Sequence, residues 1–107
     1  MSPVQRSLKN LRDRGFLCAI VERWNPYAKV RQDVFGFGDL LIAGDPFGPT
    51  LVQVTTSASA AARRAKIHAE PKAKLWKAAG GMILLHGWAK RGPRGKRKTW
   101  QVTEEIL

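Results

Sequence analysis

The stretch FGFGDLLIAG at residues 35–44, followed by LVQVTT at residues 51–56, decides how this chain folds. Asp39 enters a short apolar run, Leu40, Leu41 and Ile42, which the turn-forming segment GDPFGP at residues 44–49 interrupts. Beyond the turn the side chains alternate. Leu51, Gln53 and Thr55 share one face, and Val52, Val54 and Thr56 share the other. Pairing the two runs as a hairpin brings Asp39 beside Gln53. Two oxygen donors on neighbouring strands suit a hard cation such as Mg²⁺. The plainer alternative is a strand-end aspartate satisfied by turn amides, with Gln53 hydrogen-bonded locally. Burying an unpaired carboxylate is costly, so an aspartate in an apolar run needs a reason.

Outward from this hairpin, residues 2–14 read as an amphipathic helix. Val4, Leu8 and Leu11 recur at helical spacing, Ser2 before Pro3 forms a cap, and Gly15 supplies the stop. The apolar run at residues 16–23 has strand length. A loop through Trp24, Asn25, Pro26 and Tyr27 and a polar stretch at residues 29–33 follow. Residues 57–79 are helix-rich. Their alanines Ala58, Ala61, Ala62, Ala65 and Ala69 form a small-residue stripe expected to pack on a sheet, with Leu75, Trp76 and Ala79 continuing that face. Pro71 predicts a kink or a second helix beginning there. Gly80 and Gly81 end the helical region, residues 82–86 form another strand, and residues 99–103 alternate as an edge strand. The expected class is α/β, a mixed central sheet flanked by helices in the order α-β-β-β-α-β-β.

The chain has 107 residues, one domain with a single core. Hydrophobic residues make up 44%, which argues for a folded protein rather than a disordered basic tail. Lys and Arg total 19 against 8 Asp and Glu, a net charge of +11, and such an excess attracts polyanions, nucleic acid above all. The single cysteine, Cys18, permits neither an intrachain disulfide nor a cysteine zinc cluster. No leader pattern stands at the N-terminus, and no run approaches the roughly 20 apolar residues of a membrane span. The expected setting is the cytoplasm, with no membrane partner.

Positive charge is densest at residues 90–98, where Lys90, Arg91, Arg94, Lys96, Arg97 and Lys98 surround two glycines and a proline. A solvated hairpin loop is the bland reading, and contact with phosphates is the functional one. Nothing in the loop reads base edges. Trp24, Trp76, Trp88 and Trp100 read as core or sheet-edge packing rather than base-stacking platforms, and of the four Trp88 and Trp100, which flank the loop, are the better stacking candidates. His68 and His86 lack zinc-ligand spacing and read as ordinary, partly buried histidines. Glu22 is read either as a surface partner of Arg23 or Arg31 or as a further metal ligand, and Asp33 either as a partner of Arg31 or a turn cap or as a further metal ligand.

The order of elements, with Phe37-Gly38-Asp39 opening one strand and Gln53-Val54-Thr55 in the next, resembles the core of the PD-(D/E)XK nucleases. Short members include virus-type replication-repair nuclease domains, Holliday-junction resolvases and small phage-encoded relatives, and the resemblance spans roughly residues 4–88. It implies a restriction-endonuclease-like fold and cleavage of DNA with Mg²⁺ or Mn²⁺. It implies Asp39 and Gln53 as metal ligands, and Asp39, Gln53, Thr55 and Glu22 as the catalytic set. A phage origin would place the protein in the host-cell cytoplasm. The family pattern has Glu and Lys where this chain has Gln53 and Thr55. Gln keeps a carbonyl oxygen but loses a charge, and Thr55 supplies no cation. Arg63, Arg64 and Lys66 on the following helix are the candidates to replace the missing lysine and to hold DNA.

Two classes of function follow. One is a Mg²⁺-dependent nuclease acting on DNA, including structured or branched DNA. The other is a DNA-binding module on the same fold that no longer cleaves. An RNA- or ribosome-associated basic protein would explain the charge but not Asp39. An edge strand at residues 99–103 would permit a homodimer.

Overall fold

The protein is described over Met1–Leu107 in a computed structural model. Strand β5 (Thr50–Thr56) organises it, and only the last of its seven residues is exposed. A strand buried on both faces belongs in the middle of a sheet, and β5 is the third of five. The order is β1 (Leu17–Ile20), β4 (Leu40–Ala43), β5, β6 (Met82–Arg91) and β7 (Thr99–Ile106). The β1–β4, β4–β5 and β6–β7 pairs are antiparallel, whereas β5 and β6 run parallel. Parallel neighbours need a crossover, and the helical region provides it. A 3-10 turn at Ser57–Ser59 leads into α2 (Ala60–Ala69), and α3 (Pro71–Ala78) follows at the proline break.

Helix α1 (Pro3–Asp13) covers one face of the sheet. Ser2 caps it by accepting from the Gln5 amide at 3.2 Å, and Gly15 takes a left-handed φ of 92° just beyond its end. Leu8 and Leu11 pack with Phe16, Cys18, Leu40, Ile42, Val52, Val54, Leu84 and Trp88 in an apolar core. Each such aliphatic side chain contributes roughly 1.5–3 kcal/mol by leaving water. The opposite face carries a smaller apolar cluster of Phe37, Leu51, Ile67, Ala73 and Ile83. Leu85, the partner of Gln53 on β6, is also buried on that face, while the patch around Asp39 and Gln53 is polar.

Three local expectations are corrected. The alanine stripe Ala58, Ala61, Ala62, Ala65 and Ala69 lies in solvent, and α2 instead turns Ile67 to the sheet with Ala60, Arg63 and Arg64 half-buried beside it. An isoleucine offers far more apolar area than an alanine methyl, so it sets the rotation of the helix. Leu75 and Ala79 likewise do not continue a buried face: both are exposed, and Ala73 is the buried residue of α3. The apolar run at residues 16–23 is not one strand. It leaves the sheet after Ile20, and Arg23–Asn25 (β2) pairs with Val30–Gln32 (β3) as a separate hairpin. That departure brings two acidic residues to the sheet's polar face. No helix of the protein is long and apolar enough to cross a membrane.

Candidate functional site

Asp39 sits immediately before β4, one step beyond the Leu40–Val52 pair, so it lies beside Gln53. Its Oδ2 accepts from the Gln53 amide nitrogen and from the Val54 backbone N–H, both at 2.8 Å. Asp39 and Gln53 are almost wholly buried. The turn that ends β1 closes onto the same residue, since the Val21 and Glu22 backbone N–H groups both donate to the Asp39 carbonyl, at 3.0 and 3.3 Å. This anchors Glu22 next to Asp39.

Asp33 arrives from the other side of the β2–β3 excursion. The chain after it forms a tight loop in which Val34 and Gly38 exchange backbone hydrogen bonds at 2.8 Å each. Phe35 and Gly36 both take positive φ there, 56° and 83°. Gly38 is held close to Leu51, where a Cβ would lie 3.0 Å from the leucine Cδ2. The result is a cluster of Glu22, Asp33 and Asp39 in which one carboxylate oxygen from each lies within 4.8 Å of the other two. Such a cluster could hold a metal ion.

Electrostatics sharpen the point. Burial pushes the Asp39 carboxyl up to about 8, and its hydrogen bond with Asp33 and the charges of Asp33 and Glu22 add to the rise, against the Val54 amide that lowers it. Three acids share this space with little compensation. The closest cation is Arg31, whose Nη1 lies 3.6 Å from Glu22 and whose side chain is mostly exposed. Like charges gathered this closely want either protons or a cation.

The acids and Gln53 form the floor of an open, polar recess of about 700 Å³. Its walls carry Arg31 from β3, Arg63 and Lys66 from α2, and Lys72 from α3. Of the helical cations expected from sequence, Arg63 and Lys66 therefore reach the site. Arg64 does not. It projects to β7, where its guanidinium pairs with both oxygens of Glu105. Thr55 is two residues along β5 from Gln53, buried opposite Gly87, and does not line the recess. Sequence reasoning misses Lys72. Its signal is Pro71, which breaks the helical region and starts α3 back over the end of the sheet.

The basic segment at residues 90–98 spans the end of β6 and the turn into β7. Its six cations are exposed, and none takes part in an ion pair. Trp88 takes the core reading rather than the stacking one: it is buried, with its indole N–H donating to Ser7 Oγ at 2.8 Å. Trp100 stays partly exposed, and the Arg6 guanidinium lies 3.8 Å over its ring. His68 is exposed, whereas His86 is completely buried. Compared with protein-family models, curated proteins and solved structures, the chain matches none.

Proposed function

We propose that the chain is a metal-dependent nuclease that hydrolyses phosphodiester bonds in DNA. The observation that carries this reading is the juxtaposition of Glu22, Asp33 and Asp39 with Arg31, Arg63, Lys66 and Lys72 around one recess. Three carboxylates weaken the pull of the basic rim on a polyanionic substrate, a cation between them would remove that repulsion, and the surrounding basic groups fit its phosphates. The succession of α1, β1, β4, β5, α2 and β6 supports the likeness to the PD-(D/E)XK core, with β2–β3 as an insertion.

The donor set is all oxygen, which fits Mg²⁺ or Mn²⁺ rather than a soft metal. Asp39, Glu22 and Asp33 would hold the ion, with the Gln53 carbonyl as a neutral fourth donor. When bound, it would supply Lewis-acid polarisation of the scissile phosphate and a more acidic water. The protein's own residues do the rest. The amides of Gln53 and Val54 fix the orientation of the Asp39 carboxylate. Lys66 and Arg63 stand on the helix after β5 and take the charge-stabilising role that Thr55 cannot fill. Lys72 and Arg31 bracket the flanking phosphates, and the cations at residues 90–98 extend the basic surface beyond the recess.

The direct test is incubation of the purified protein with linear, nicked and branched DNA in Mg²⁺, Mn²⁺ or EDTA. Cleavage in either ion, none in EDTA and none with Asp39→Asn is the expected pattern. One observation favours a second reading, a DNA-binding module without cleavage: Gln53 meets Asp39 with an amide donor in place of a second carboxylate. Tight DNA binding with no cleavage in any divalent ion would establish that module instead.

A further inference from the structure

Beside the acidic recess lies an apolar shelf that the nuclease reading does not use. Phe35, Leu75 and Trp76 line it, together with Lys72, around a hollow of about 350 Å³. Phe35 and Lys72 belong to both the shelf and the acidic recess, so the two are continuous. Phe35 is 49% exposed and Leu75 is 70% exposed. The Phe35 and Trp76 rings are 6.3 Å apart at 41°, an open tilt rather than a closed stack.

This arrangement is held in place at some cost. Phe35 sits at a φ of 56°, a left-handed conformation uncommon for a bulky residue, and such strain collects at functional sites. The strained loop holds an aromatic ring out of the core rather than in it. Trp76 is pinned by its indole N–H, which donates to the Met82 carbonyl at 2.7 Å. The ring lies flat over Gly81, where a Cβ would come within 2.2 Å of it. A fixed tryptophan beside a forced-out phenylalanine, with lysine at the rim, is a surface for a flat apolar ring attached to a negative chain.

We propose that Phe35, Trp76 and Leu75 form a stacking site for an unpaired base of DNA whose adjacent phosphate is held by Lys72 at the acidic recess. The inference rests on the nuclease reading and names its substrate class: single-stranded or branched DNA with an unstacked nucleotide at the cleavage position. A base inside an intact duplex has no free face to offer, whereas a splayed base does. The hollow has the dimensions of a small-ligand site. The ring of Arg31, Arg63, Lys66 and Lys72 next to it complements a polyanion.

The experiment measures binding of a fluorescent single-stranded oligonucleotide and a duplex of the same length in EDTA, where no cleavage can interfere. The expected result for the wild type is tighter binding to the single strand, with quenching of tryptophan fluorescence that Trp76→Phe reduces. Phe35→Gly relieves the left-handed backbone while removing the ring, so it separates stacking from folding. Its single-strand to duplex affinity ratio should fall on the order of tenfold, as one lost base–aromatic stack implies. Leu75→Ala should lower the ratio less. An unchanged ratio in both variants overturns the shelf. So does a result in which Phe35→Gly alters only self-association by sedimentation, since a second copy of the chain would then be the occupant. Cleavage in Mg²⁺ is scored separately. A protein that binds single strands through Phe35 but never cuts keeps the shelf and loses the nuclease. One that cuts duplex and single strand alike with or without Phe35 does the reverse.

Discussion

The two faces of the central sheet each bury a cluster of titratable groups, and they solve the problem of buried charge in opposite ways. Under α1, His86 is fully buried, with Nδ1 2.8 Å from Ser7 Oγ and Nε2 2.8 Å from Glu104. Trp88 donates to the same serine, and Arg14 forks onto Glu104 at 2.8 and 3.2 Å. The Arg14 hydrogen bond holds Glu104 below the usual carboxylate range, while burial holds the His86 imidazole below its own. Every group has its partner. The serine–histidine–glutamate order resembles a nucleophilic triad, but Ser7 is wholly inaccessible, so it serves as a tie between helix and sheet. On the other face three carboxylates converge around one weak contact with Arg31. The compensated cluster holds the fold together, and the uncompensated one is open to a ligand of opposite charge.

The comparison breaks most easily at Asp39. Asp39→Asn keeps the shape and an acceptor for the Val54 amide but removes the charge. Loss of an outer-sphere partner commonly costs 10–100-fold in metal affinity, so losing this carboxylate should weaken Mn²⁺ binding by at least about 100-fold in calorimetry. The same substitution should stabilise the metal-free protein. A carboxyl whose folded pKa is raised to about 8 destabilises the fold progressively as pH rises above its unfolded value. The melting-temperature advantage of Asp39→Asn over wild type in EDTA should therefore be absent near pH 4, grow with pH and level off above about 8. An advantage of about 1 kcal/mol would appear as roughly 4–8 °C in a domain of this size. Asp39→Ala is the poorer probe, because it strands the two donors that meet Oδ2. A wild type as stable at pH 8 as Asp39→Asn would mean that the three acids are compensated after all.

The opposite face should respond the other way. Ser7→Ala leaves the Trp88 indole N–H and the His86 Nδ1 without their shared partner, a loss of about 1–3 kcal/mol. Stability falls and metal affinity per folded molecule stays the same. The Glu104 contribution carries the opposite sign to that of Asp39: it is present above the unfolded carboxylate pKa and fades as pH drops through the lowered folded value. His86 also destabilises on acidification, since the unfolded chain takes up a proton that the buried imidazole resists. Urea denaturation of Ser7→Ala at pH 7 checks the magnitude. A loss of Mn²⁺ binding with unchanged stability would show that the two clusters are not separate.

A smaller effect distinguishes the recess from the distant cations of residues 90–98. If about five phosphates are neutralised in all, the log–log dependence of duplex affinity on salt should have a slope near −4.5. Replacing Arg94, Lys96, Arg97 and Lys98 by alanine should flatten it while Mn²⁺ affinity is untouched. An unchanged slope would assign phosphate contact to Arg31, Arg63, Lys66 and Lys72 alone.

Much of this architecture is legible in the sequence because it depends on local rules. Ser2, Pro3 and Gly15 bound α1, Pro71 splits the crossover into two helices, and the period-2 pattern of residues 51–56 sets Gln53 beside Asp39. What is not legible depends on tertiary geometry. Glu22 and Asp33 are separated by a complete hairpin, and only the return of that hairpin brings them together. The rotation of α2 follows from which side chain wins the sheet, so Arg63 and Arg64, neighbours in sequence, end on different sites. Trp88 looks like a partner of the basic loop because it is close in sequence, but strand alternation turns it to the α1 side.

The finest test of the comparison lies at Gln53, the residue that makes the acidic face less acidic than its resemblance implies. Its amide donates 2.8 Å to Asp39, which eases the crowding of charge in the free protein. Gln53→Glu exchanges that donor for a fourth carboxylate. Metal-free stability should fall, and Mn²⁺ affinity should rise several-fold, because the added charge is relieved only when a cation enters. On the nuclease reading DNA would then matter less for metal binding, since the new carboxylate would supply a donor that phosphate oxygens would otherwise have to provide. Metal and DNA affinities are linked reciprocally, so the coupling measured from either side should shrink in the variant. Cleavage need not rise, because the cations come from α2 and α3 in both proteins, and Thr55 does not line the recess. Calorimetry of Mn²⁺ with and without a short DNA reads both quantities. Equal affinity in the two proteins would remove Gln53 from the ligand set and leave Glu22, Asp33 and Asp39 as the whole of the site.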